Sequence, residues 1–175
     1  MVMSVFNVVH AGDAILEQVV GYIGCLSDEQ YAQTSRIFKA GTAGKHIRHT
    51  LDHFRASIMT QPSDKIDYDH RQRGVDVESN RDAALQEIAA LRCALAELTE
   101  DDLTVEMTAQ VMCSGDGQCA DLGTTRAREI FFALHHAIHH NAILKAIAGE
   151  HDLELDPCFG TAPSTINYES GMASS

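Results

Sequence analysis

The chain has no tryptophan and few aromatic residues, which make up 6% of its 175 positions. Its hydrophobic content is nonetheless 45%, so the expected core is mostly aliphatic. Positive charge is also scarce, with 13 Lys and Arg against 25 Asp and Glu and a formal net charge of −12. Nucleic-acid binding needs a basic surface, so no nucleic acid is expected as a partner. An anionic membrane surface is disfavoured for the same reason. No apolar run approaches the ~20 residues that cross a bilayer. The N-terminus, Met1-Val2-Met3-Ser4-Val5-Phe6, lacks a basic leader, and Asn7, His10 and Asp13 interrupt its apolar positions. The five cysteines, Cys25, Cys93, Cys113, Cys119 and Cys158, are odd in number and scattered. That is not a secreted disulfide framework, and a cytoplasmic protein with reduced thiols is the simplest expectation.

Histidine, by contrast, is abundant and clustered. Four of the ten lie in Leu134-His135-His136-Ala137-Ile138-His139-His140-Asn141. Three more lie in Gly44-Lys45-His46-Ile47-Arg48-His49-Thr50-Leu51-Asp52-His53-Phe54. Both stretches carry helical periodicity, and histidines four apart share one helical face. Two imidazoles at that spacing suit one metal ion. Three imidazoles from two packed helices would leave a coordination position open, as in reactive rather than purely structural sites.

Four long segments carry the 3.6-residue period. The first runs from about Ser4 to Ile23, with Val5, Val8, Val9, Ile15, Val19 and Ile23 on its apolar face. The second runs from Gly44 to about Thr60, striped by Ile47, Leu51, Phe54 and Ile58 and closed by Pro62. The third starts at a cap on Ser79 or Asn80 and reaches about Leu98. The fourth follows Thr124-Thr125 and stops at Gly149. Between the last two, Thr104 to Met112 alternates polar and apolar residues before the turn residues Ser114-Gly115-Asp116-Gly117, which predicts a short hairpin. The expected fold is all-α, a four-helix bundle with a short β-hairpin between helices three and four. One domain is expected over residues 1–168, with 169–175 a flexible C-terminal end.

At about 100° per residue, His136 and His140 share an arc with Phe132, Ile143, Leu144 and Ile147. His135 and His139 share one with Phe131 and small alanines. The bulkier framing favours His136 and His140 as the inward pair. Glu129 lies on their arc and is a candidate acceptor or acid–base group. On the second helix, His46, His49 and His53 fall between the aliphatic stripe and the charged face of Lys45, Arg48, Asp52 and Arg55. Which of them joins the pair is open at this point. The segment Ile66-Asp67-Tyr68-Asp69-His70-Arg71-Gln72-Arg73-Gly74 offers two arginines beside a tyrosine for a carboxylate, against the reading of a solvated polar loop. Cys113 and Cys119 flank the turn, where a redox or metal role competes with an incidental pair of thiols.

The pattern resembles the DinB-like family, which is related to bacillithiol-dependent transferases. The resemblance covers nearly the whole chain, to the Phe159-Gly160-Thr161-Ala162-Pro163-Ser164-Thr165 tail. It rests on a helix-two histidine with an aspartate three residues later, here His49 and Asp52. It rests also on two helix-four histidines four apart, here His136 and His140 ahead of Asn141-Ala142-Ile143. The commoner Arg-Gly-Gln after the last histidine is absent, and the hairpin and the Phe-Gly-x-Ala-Pro-Ser tail suggest a distinct subgroup. The resemblance implies a helical bundle, often a homodimer, holding one divalent transition metal (zinc, nickel or iron) on His49, His136 and His140. Asp52 or Glu129 would orient a ligand ring. It implies a small-molecule substrate, with a low-molecular-weight thiol transferred to an electrophile in some members. The same ligand set suits hydrolysis by an activated water. A non-enzymatic small-molecule-binding or dimerising bundle is the alternative from another class.

Overall fold

The computed structural model describes residues 4–39, 41–70 and 74–173. Helix α1 (Asn7–Gly24) is followed by α2 (Asp28–Ala32), α3 (Ala43–Met59), strand β1 (Lys65–Asp67) and a 3₁₀ turn (Asp76–Glu78). Then come α4 (Arg81–Ala96), α5 (Glu100–Thr104), β2 (Glu106–Met112), β3 (Cys119–Thr125), α6 (Arg126–Gly149) and α7 (Pro163–Ala173). The helix starts follow from local chemistry. Thr42, Asn80 and Thr125 accept from the first-turn amides of α3, α4 and α6, and Ser27 and Thr99 form capping boxes on α2 and α5.

The long helices α1 and α3 each pack against both α4 and α6. Their buried stripes, including Leu16, Val19, Ile47, Phe54, Ile88, Leu95, Ile130 and Leu144, form one core. Each such side chain contributes about 1.5–3 kcal/mol on burial. Gly44 permits the close seat of α3 on the 3₁₀ turn. A Cβ there would fall on the Glu78 carbonyl oxygen and 2.6 Å from the Tyr31 ring. After α6 the chain folds back, and Phe159 stacks on Tyr22 with centroids 5.4 Å apart. Gly160, at φ +71°, lies against the Ala142 backbone where no side chain fits.

The expectation of an all-α four-helix bundle with a lone hairpin is overturned. Seven α-helices and a three-stranded mixed sheet are present among the described residues. The hairpin strands β2 and β3 pair antiparallel, Met107 opposite Thr124. β1 then adds in parallel to β2, with Ile66 opposite Ala109. The residue pattern explains it: Ile66 and Tyr68 are buried while Lys65 and Asp69 are exposed, a strand alternation too short to stand out inside a polar segment. Ile66, Tyr68, Met107 and Ala109 form a second small core with Ala56, Val105 and Phe132, which fastens the sheet to α3 and α6. No helix among the described residues is long and apolar enough to cross a membrane.

Candidate metal centre

Helices α3 and α6 run antiparallel, and one buried arginine fixes how they slide. Arg126, 5% exposed, opens α6. Its guanidinium donates to the carbonyls of Ser57 (3.2 Å), Ile58 and Thr60 (3.0 Å) at the C-terminal end of α3. Those carbonyls have no partner within their own helix, and a cation suits the negative end of its dipole. From that clasp the helices pair residue by residue. His53 meets Phe132 (centroids 5.9 Å), His49 meets His136 (4.7 Å) and His46 meets His140 (5.3 Å).

His49, His136 and His140 form a cluster able to hold a metal ion, the one such group among the described residues. Their ligand atoms lie within 4.8 Å of one another. The Nε2 atoms of His49 and His136 are 2.9 Å apart. Nitrogens bound to a tetrahedral ion at 2.0–2.1 Å stand about 3.4 Å apart, so small rotations would satisfy an ion. Two facing imidazole nitrogens need a shared proton or a cation between them, and the donor set fits the latter. His140 is 8% exposed. Burial first, and then the neighbouring imidazoles of His136, His46, His139 and His53, push it down to about 3. A neutral imidazole is the form that coordinates.

Further histidines stand around this cluster. His53, 5% exposed, donates from Nδ1 to the His49 carbonyl at 2.9 Å, which leaves the proton off Nε2. Burial lowers its pKa to about 4, with Asp69 opposing. Its ring stacks on His136 at 4.0 Å and 16°, and on Tyr68 at 4.9 Å and 13°. His46 Nδ1 lies 3.1 Å from His140 Nδ1, and burial lowers the His46 pKa. His135 and His139 are exposed on the outer face of α6.

The other named candidates are also placed. Glu129 is 2% exposed and accepts from the Tyr68 hydroxyl (2.7 Å), Thr124 Oγ1 (2.7 Å) and Arg128 (3.1 Å). It is joined to the imidazoles through the stacked Tyr68 ring. Asp52 is ion-paired with Arg48 (2.8 Å), which also reaches Glu78 (2.9 Å). Arg71 and Arg73 lie outside the described residues. All five cysteines are free and exposed. Met112 pairs with Cys119, and the Cys113 amide donates to Gln118, so the two thiols of the hairpin point to opposite faces. Sequence reasoning gave no role to Arg126 and Arg128, or to Tyr68 as a ring against histidine. The signal for Arg126 was its place directly after the Thr125 cap.

No family model matches the chain. It is 31% identical over 104 residues to FK506-binding protein 5 of Rhizopus delemar. That stretch is 59% of this chain and 27% of that protein, so the match spans about a quarter of the relative's length.

Proposed function

We propose that the chain is a metal-dependent member of the DinB-like family that joins a small thiol to an electrophile. His49, His136 and His140 would hold one zinc, nickel or iron ion. The observation that carries this is the convergence of three imidazoles from two helices, with no fourth ligand in the cluster among the described residues. A divalent ion on three neutral ligands keeps its full charge and acidifies a thiol or water that reaches it. The protein's own residues then divide the remaining work. Arg126 fixes the register of the ligand helices. His53 and Tyr68 hold the plane of His136 by stacking, and the buried Glu129 anchors Tyr68. In the transfer, a sulfur–carbon bond forms, the leaving group departs with its electron pair, and the thiol proton passes to solvent.

The test is elemental analysis of untagged protein beside its alanine variants. About one metal per chain is expected, lost in H49A, H136A and H140A and kept in H135A and H139A. Retention of metal by H136A would sink the assignment. A conjugation screen with small thiols, run beside esterase and amidase substrates, separates thiol transfer from hydrolysis. Titration with FK506 checks whether the relative's named ligand has any place here, and sedimentation reads the homodimer that the reading implies.

A further inference from the structure

Two rows of side chains run along α6 from its first turn to the histidine cluster. Arg128, Phe132 and His136 stand four apart, as do Phe131, His135 and His139, and residues so spaced stack on one face. These six line a hollow of about 390 Å³. One end therefore opens on His136. The other end holds Arg128, the one Lys or Arg among the described lining residues. Its side chain is 61% exposed, and its guanidinium carbon sits 5.4 Å from the Phe132 ring centre. Phe131 keeps 49% of its surface in solvent. Its ring centre lies 5.0 Å from that of His135.

We propose that this hollow is the subsite for the electrophile, and that it takes small molecules with a carboxylate or similar anion on a flat apolar body. The anion sits on Arg128, the body lies against Phe131 and Phe132, and the reactive end faces His136. The identity of that reactive end rests on the metal-dependent reading above. Four features support the choice. The molecule carries a net charge of −12, so an anion needs a local cation to approach at all. The guanidinium is a planar fork matched to carboxylate geometry. One arm is fixed to Glu129, which the Tyr68 and Thr124 hydroxyls hold in turn, so the fork is set before a ligand arrives. Eight residues separate Arg128 from His136, about 12 Å along the helix, room for a carboxylate, one ring and a short arm.

Benzoate is the probe and benzamide its neutral counterpart of the same shape. In calorimetric titrations of the metal-loaded protein, benzoate should saturate one site per chain, with benzamide weaker by about tenfold or more. R128Q should weaken benzoate by about tenfold, leave benzamide unchanged and keep the parental metal content. F131A should weaken both. Equal binding of benzoate and benzamide, no saturable benzoate binding, or benzoate binding untouched in R128Q would each overturn the subsite. The last result is also what benzoate held by the ion alone would give. The metal reading fails separately, by elemental analysis. Arg128-dependent preference for benzoate in a metal-free parent would keep the subsite while removing the ion.

Discussion

Glu129 is a buried carboxylate held by three neighbours, and Tyr68 is the one that also touches the histidines. Tyr68→Phe removes the hydroxyl and keeps the ring. One hydrogen bond to a buried charge is worth about 1.5–3 kcal/mol. The variant should therefore lose about that much stability, read as a lower denaturant midpoint at unchanged slope. Its metal content should match the parent, because the stack on His53 remains. Loss of metal in Tyr68→Phe would mean that the hydroxyl, not the ring, governs the cluster. At this scale the sequence was only partly legible. His136 and His140 could be chosen over His135 and His139 because Phe132, Ile143 and Leu144 frame them. His53 could not be placed, because a helical wheel knows one buried stripe. Helix α3 packs on both α4 and α6, so the rim of its stripe is still interior.

The two helices that carry the cluster are held by a clasp at one end and a loop tie at the other. Arg126→Met keeps the bulk and removes the donors. Carbonyls at the end of α3 then lose their partners, at about 1–3 kcal/mol for each one left buried without a donor. A loss of at least about 2 kcal/mol in chemical unfolding is expected, with weaker metal retention because His49 and His136 are no longer held in register. Full stability in that variant would remove the clasp from the account. At the opposite end of α6, Glu150 accepts from Ser35 Oγ and the Arg36 amide (2.7 Å). Those bonds, led by Ser35, lower its pKa from 4.5 to about 2. A depressed carboxylate stabilises fully above its ordinary pKa and stops doing so as pH falls through the folded value. Glu150→Gln should therefore melt below the parent at pH 7, and the gap should close between about pH 4.5 and 2. A gap that does not change with pH would mean that the charge is irrelevant. The long helices were readable because caps and apolar periods agree over many residues. β1 was not, because three residues give the period of two no length in which to show.

At the scale of the whole molecule, the ligands are far apart in the chain and near only in the fold. His49 and His136 are 2.9 Å apart although 87 residues separate them, so an unfolded chain cannot offer all three imidazoles together. An ion bound by the native state alone stabilises it by mass action, about 2.7 kcal/mol at a hundredfold excess over the dissociation constant. For a chain of this size each kcal/mol moves the melting midpoint by about 2–4 °C. Adding the metal found by elemental analysis should then raise the midpoint by about 5–10 °C over chelated protein. Loose binding by histidines in the unfolded chain would only shrink that shift. The control is the triple variant of His49, His136 and His140, in which the remaining seven histidines are intact. If the cluster is the site, its midpoint does not respond to metal or to chelator. An equal shift in the triple variant would assign the binding to the outer histidines, and α3 and α6 would then be a scaffold without a centre.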